Sequence, residues 1–266
     1  MMAPGIDWED AFSNRDYISG AETYLEMWAA RAEDFRLRQQ GKLDLAYGDH
    51  PRERLDLFLP EARPRGLAVF VHGGYWRAFD KSSWSDLAEG ALYRGWAVAM
   101  PSYTLAPEAT IPHMTAQIGR AVAFAAERID GPIRLTGHSA GGHLVTRLAC
   151  REGPLPPGLD RRLERVVSIS GLHDLRPLLL HSMNDDLGLT PESAEAESAA
   201  LSAPLPDVTV TAWVGAAERP EFLRQSAMLA ERWHASLVTD PGKHHFDVID
   251  GLKDPAHPLC VAFAGD

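Results

Sequence analysis

Residues 133–144 read IRLTGHSAGGHL, and their reading decides the fold. IRLTGH is a short run after Pro132 that carries Ile133 and Leu135, and it predicts a buried strand. AGGHLVTRLACRE, which follows at once, predicts a helix. Ser139 stands between the two, inside the pattern Gly137-His138-Ser139-Ala140-Gly141. A chain that leaves a strand and enters a helix at one residue is crowded, so small residues at 137, 140 and 141 are a steric need. Such a turn lifts the serine hydroxyl to the carboxyl end of the strand. There the helix N-terminus favours negative charge as it develops. The five-residue pattern is common by itself; the strand before it and the helix after it give it meaning.

Outward from this turn the same alternation repeats. LAVFVH (67–72), WAVAMPSY (96–103), RVVSISG (165–171) and VTVTAWVG (208–215) are compact apolar runs of the kind buried on both faces of a parallel sheet, and a last strand is expected around 235–239. Helices are expected near 82–94, 109–129 and 220–235. Towards the N-terminus, residues 20–40 carry Tyr24, Leu25, Trp28, Phe35 and Leu37 at helical spacing, and 43–48 and 53–60 read as short strands. Repeated strand–helix units predict an α/β fold with a mostly parallel central sheet and helices on both faces. Repeats, low-complexity tracts and linkers are not seen, so residues 1–266 are expected to form a single domain. Segment 172–205, rich in Leu, Pro and Ala, is a candidate cap or irregular insertion over the site.

Composition narrows the partners. The formal charge is −11, and the longest basic cluster, Arg161-Arg162, has Glu164 beside it. Such a surface repels phosphate backbones and anionic lipid, so neither nucleic acid nor membrane is an expected partner. Cys150 and Cys260 sit outside any CxxC pair and read as free thiols of a reducing cytosol. The opening MMAPGIDWED has no apolar core of a signal peptide, and no apolar run nears the ~20 residues needed to cross a bilayer. A cytoplasmic protein acting on a small molecule is expected, with a homodimer left open. No HExxH or comparable ligand spacing appears, and neither a metal nor another cofactor is expected.

A serine nucleophile needs an oxyanion cradle, a base and an acid. His72-Gly73-Gly74-Tyr75-Trp76 ends the strand LAVFVH, and its glycines let backbone N–H groups approach closely. The expected donors are the N–H groups of Gly74 and Tyr75, with Gly73 a lesser candidate, together with that of Ala140; His72 is expected to brace the loop. The base should follow the last strand, where His244, His245 and His257 are available. Lys243-His244-His245-Phe246-Asp247 comes directly after the Pro241-Gly242 turn and is preferred, whereas His257 reads as a surface residue. His138 and His143 flank the serine and read as packing residues. The acid should lie past the penultimate strand: Glu218 is favoured, with Asp174 and Glu221 as rivals. Trp76, Tyr103 and His244 are candidates for the substrate pocket, while Trp28, Trp84, Trp96 and Trp233 read as core.

These motifs together resemble the kynurenine formamidase (arylformamidase) family of α/β-hydrolases. HGGYW (72–76), GHSAGGHL (137–144), SGLHDLRPL (170–178), VGAAERPEFLRQS (214–226) and HHFDVI (244–249) are similar to its signature loops. SNRDYISGAETYLEMW and AYGDHPRERLDLFLP are similar to bacterial members, so the likeness covers most of the chain. It implies the α/β-hydrolase fold and a Ser139–Glu218–His245 triad, and it supports His245 over His244. It also implies hydrolysis of an N-formyl arylamine such as N-formylkynurenine, with hydrolysis of short-chain acyl esters as the alternative. Two departures stand out. Animal members have Asp where Glu218 stands, and Gly142 replaces a frequent alanine, a change expected to be neutral. YTLAPE (103–108) is also similar to hormone-sensitive-lipase-like esterases.

Overall fold

A strand that is apolar at every position must be covered on both faces, and alternate side chains must enter different cores. A computed structural model describes residues 5–266; residues 1–4, the start of the opening stretch read for a signal peptide, lie outside the described residues. In chain order the elements are α1 (Trp8–Ala11), α2 (Ala21–Arg38), β1 (Gly41–Ala46), β2 (Arg54–Phe58), β3 (Leu67–Val71), a 3-10 segment Lys81–Ala88 leading into α3 (Glu89–Tyr93), and β4 (Ala97–Pro101). There follow α4 (Ile111–Ala126), β5 (Ile133–His138), α5 (Ala140–Leu148), β6 (Leu163–Ile169), α6 (Asn184–Leu187), α7 (Pro191–Ala196), β7 (Thr209–Gly215), α8 (Pro220–Trp233), β8 (Ser236–Asp240) and α9 (Pro258–Ala264). The sheet order is β1-β2-β4-β3-β5-β6-β7-β8. β2 pairs antiparallel with β1 and β4, and from β4 to β8 every pairing is parallel.

The two faces of the sheet are read off β3. Leu67, Val69 and Val71 join a core with Ile118 and Val122 of α4, Leu144 and Leu148 of α5 and Leu229 of α8. Ala68 and Phe70 point the other way, into a core with Trp28 and Phe35 of α2, Ala91 of α3 and Phe263 of α9. This places β5, and the turn that ends it, at the centre of the molecule. The edge strands β1 and β8 are largely exposed.

The structure departs from the sequence expectation over 82–94 and near the C-terminus for physical reasons, and it gives the segment read as irregular or helical its form. The helix expected over 82–94 is broken: Trp84 has φ −142° and its indole packs on Trp28 (5.1 Å) and Phe79 (5.0 Å), so only Glu89–Tyr93 is α-helical. Residues 172–205 fold as short helical pieces that bury Leu172, Leu175, Leu178, Leu187 and Ala194. Helix α9 carried no clear signal; it is capped by His257, whose Nδ1 accepts from the Leu259 N–H (3.1 Å), so His257 is half-buried and structural.

Candidate active site

Ser139 has φ 55° and ψ −116°, a backbone that L-residues adopt at a cost of about 1–3 kcal/mol. The turn is held by the Ser139 N–H donating to the Ile169 carbonyl (2.8 Å) and by the His143 N–H donating to the Ser139 carbonyl (3.1 Å). It is possible because Gly137 and Gly141 pack backbone to backbone, and a Cβ on Gly141 would run into the carbonyl of Val71. Gly142 is equally constrained: a Cβ there would lie 2.7 Å from Ser168 Oγ and 2.9 Å from Gly171 Cα. A methyl at 142 would have to displace one of them. The Ser139 hydroxyl does not cap α5; its side chain opens onto a cavity of about 420 Å³.

The same cavity is lined by His245. Its loop is tied to the loop after β7, where the Ala216 N–H donates to the Asp240 carbonyl and the Ala217 N–H to the Lys243 carbonyl (both 2.8 Å). Those ties bring Glu218 Oε2 to 2.6 Å from His245 Nδ1. Glu218 Oε1 accepts from the Gly215 N–H (2.9 Å) and from the Ser170 hydroxyl. A buried carboxylate on Nδ1 fixes the proton there and leaves Nε2 as the acceptor. The ring is packed between Phe222 (4.4 Å between centroids) and His138 (4.6 Å). Burial, with the His245 ring beside it, holds the His138 imidazole well below its usual range, so it stays neutral. In this structure Ser139 Oγ and His245 are not joined by a hydrogen bond; such contacts are often loose until substrate is present.

The rival acids are spent elsewhere. Asp174 is gripped by Arg176 through two bonds of 2.9 Å, and Glu221 by Arg224 (2.7 Å each) and Gln225 (2.7 Å).

The loop after β3 meets the serine from the other side. Gly74, Tyr75 and Trp76 have φ values of 105°, 51° and 58°, so three successive residues lie in the left-handed region. Among the described residues the Gly74 and Tyr75 N–H groups have no protein acceptor, as is also true of Ala140 at the first turn of α5. Gly74 and Tyr75 line the cavity; Gly73 lies close beside the serine, where a Cβ would come within 2.9 Å of the His138 carbonyl and 3.1 Å of Ser139 Cβ. His72 braces the loop: its Nδ1 bonds the Gly73 carbonyl (2.8 Å) and its ring stacks on Tyr103 (4.4 Å, 9°). Burial pushes His72 down to about 4.

Three expected pocket residues are elsewhere. Trp76 is fully buried and packs edge-on against His143 (5.2 Å). Tyr103 is also fully buried and donates to the His72 carbonyl (3.1 Å). His244 binds the Tyr24 hydroxyl (3.1 Å) and accepts from the Phe246 N–H (3.1 Å), which ties its loop to α2. The cavity is walled by Phe12, Trp28, Phe79, Trp84 and Phe246, with Glu9, Arg15, Arg77 and His181 among its charged and polar lining residues. Phe12 and Asn14 were missed because nothing local marks a wall more than a hundred residues from the serine. Trp28 and Trp84, read as core, are buried and line the cavity as well. Among the described residues no group of three His, Cys, Asp or Glu side chains is placed to hold a metal ion.

The chain is similar to known proteins over most of its length. The BD-FAE family model matches residues 55–198. The kynurenine formamidase of Danio rerio is 28% identical over 95% of this chain and 89% of its own length. That of Drosophila melanogaster is 30% identical over 77% and 75%. A crystal structure from a Silicibacter species, described as a candidate thioesterase, superposes with a TM-score of 0.95 at 53% identity, covering 97% of this chain and 99% of that one. An esterase of Pyrobaculum calidifontis, 18% identical with a TM-score of 0.67 over 98% and 92%, shares the fold.

Proposed function

The chain belongs to the BD-FAE and kynurenine formamidase families of α/β-hydrolases, and from that premise we propose that it hydrolyses the formamide bond of N-formylkynurenine or a related N-formyl arylamine. Ser139 Oγ attacks the formyl carbon while His245 Nε2 takes the hydroxyl proton. The carbonyl π electrons move to oxygen, and the resulting oxyanion rests on the N–H groups of Gly74, Tyr75 and Ala140. Glu218 stabilises the imidazolium through Nδ1. Collapse breaks the C–N bond, and His245 returns its proton to the departing aryl amine, leaving a formyl ester on Ser139. Water, deprotonated by the same imidazole, attacks that ester and releases formate and the free serine. An aryl amine leaves more readily than an alkyl amine because the ring delocalises its lone pair.

The observation that carries this reading is the wall of the cavity. A space of about 420 Å³ faced by Phe12, Trp28, Phe79, Trp84 and Phe246 suits an aryl group, and the acyl fragment need be no larger than formyl. A second reading, hydrolysis of short acyl esters or thioesters by the same residues, is favoured by the 53% identity to the candidate thioesterase. Values of kcat/KM on N-formylkynurenine, p-nitrophenyl acetate and a short acyl thioester separate the two. Preference for the formamide is expected, and equal or greater preference for either ester defeats the formamidase assignment. A cytoplasmic location goes with this reading and suits two free, buried thiols. Among the described residues no helix is long and apolar enough to cross a membrane.

A further inference from the structure

The left-handed backbone at Tyr75 needs an explanation, because a bulky residue holds it only where its surroundings over-determine it. Tyr75 is anchored at its far end. Its hydroxyl donates to the Phe12 carbonyl (2.5 Å) and accepts from Asn14 Nδ2 (3.0 Å). Both partners belong to residues 8–17, a segment strapped across the site. Glu9 accepts from the Ser182 N–H (2.6 Å) and hydroxyl (2.9 Å), and Asp10 accepts from Arg219, the residue after Glu218. Phe12 packs on Phe222, which lies against the His245 ring.

Asn14 itself is 5% exposed, and among the described residues its Oδ1 has no hydrogen-bond partner. The Tyr75 hydroxyl spends its proton on Phe12, so the amide must present Nδ2 to it and Oδ1 is left orphaned. A buried acceptor without a partner opposes folding. Among the described residues the one side-chain bond this amide makes is therefore its donation to Tyr75.

We infer that Asn14 is a positioning residue: through the Tyr75 hydroxyl it holds the Tyr75 N–H in the direction of the developing oxyanion. The N-terminal strap is then part of the hydrolytic machinery as well as a wall of the cavity. This rests on the reading of Ser139 as nucleophile, though not on the choice between formamide and ester.

The test is a cycle of Asn14→Leu, Tyr75→Phe and the double variant. They are assayed on whichever of N-formylkynurenine and p-nitrophenyl acetate the wild type turns over faster, with Ser139→Ala as control. Asn14→Leu should lower kcat about tenfold, less than the 10²–10³ of losing an oxyanion donor outright, with KM within twofold. Affinity for phenylboronic acid, which forms a tetrahedral anion on the serine, should fall by the same factor. The thermal midpoint should change little, since the bond to Tyr75 and the unpartnered oxygen are lost together. In the Tyr75→Phe background the Asn14 change should add nothing further. Unchanged kcat in folded Asn14→Leu overturns the inference, as do additive effects or a kcat that falls only in step with the thermal midpoint. Should Asn14→Leu not fold, unchanged kcat in Tyr75→Phe overturns it. Activity surviving in Ser139→Ala would instead remove the underlying reading of the site.

Discussion

Replacing Glu218 by glutamine changes one atom, and the structure says which way that atom must face. Oε1 accepts the Gly215 N–H at 2.9 Å, and Oε2 lies 2.6 Å from His245 Nδ1. A backbone N–H can only donate. An amide NH2 turned towards Gly215 would set donor against donor in a buried site, so the oxygen of the new amide stays at Gly215 and Ser170 and its NH2 faces the imidazole. The ring must then accept at Nδ1 and carry its proton on Nε2, the nitrogen that should receive the proton of Ser139. Every group remains hydrogen-bonded, so the fold should be little affected while the base is put in the wrong tautomer. A change of this kind in a serine triad costs about 10⁴ in kcat, or about 5 kcal/mol in barrier height. Burst labelling by a fluorophosphonate should slow in parallel with steady-state turnover. If Glu218→Gln keeps kcat within tenfold of the wild type while folded, the assignment of Glu218 is wrong. Glu218→Asp gives an independent check: the carboxylate withdraws by about 1.5 Å, one C–C bond, and cannot serve Gly215 and His245 together. Its loss of kcat should fall between those of wild type and Glu218→Gln.

Two further outcomes follow from burial. His72 is pushed down to about 4, and His143 and His173 to about 3, all by desolvation. Their folded values lie below the unfolded value of about 6.5, so the unfolded chain binds more protons below that pH. Their contribution is present above pH 6.5 and is lost as pH falls towards 4 and then 3, at up to about 1.4 kcal/mol per pH unit for each histidine. Urea midpoints should therefore drop steeply between pH 6.5 and 4.5, and a flat midpoint across that range would contradict the argument. Gly142→Ala should lower stability by about 1–3 kcal/mol, as overpacking does, because Ser168 Oγ and Gly171 Cα occupy the space its methyl needs. An unchanged urea midpoint would show that the elbow yields more readily than its contacts imply.

What could be read from the chain follows the range of the forces involved. The turn at Ser139 was legible because its sterics act over five residues, and the sheet because continuous apolar runs admit few other homes. The cavity wall was not. Phe12 and Asn14 gain their meaning from Tyr75, some sixty residues on, and their neighbour Asp10 from Arg219 beyond that. In the sequence Trp76 lies in the oxyanion loop and Tyr103 ends a strand on the same side, which marks both for the pocket. The backbone reversal at 74–76 instead turns the Trp76 indole into the core, and the His72 ring takes the face of Tyr103.

The acid and the base are more instructive, since part of the signal was present. Asp174 has an arginine two residues on and Glu221 one three residues on, both close enough to capture the carboxylate locally. Arg219, next to Glu218, reaches away to Asp10, which leaves Glu218 to be taken up by groups distant in sequence. For the histidines, burial decides little: His72, His138, His143, His173 and His245 are all buried. The difference lies in the partner. His72 and His143 bond backbone carbonyls, and His173 bonds the hydroxyls of Ser168 and Thr146. Among these five, His245 has a carboxylate on one nitrogen and the cavity at the other. A neutral partner leaves the cost of charging a buried ring uncompensated, whereas Glu218 compensates it. Of these five, His245 is thus the one whose partner suits the base proposed above.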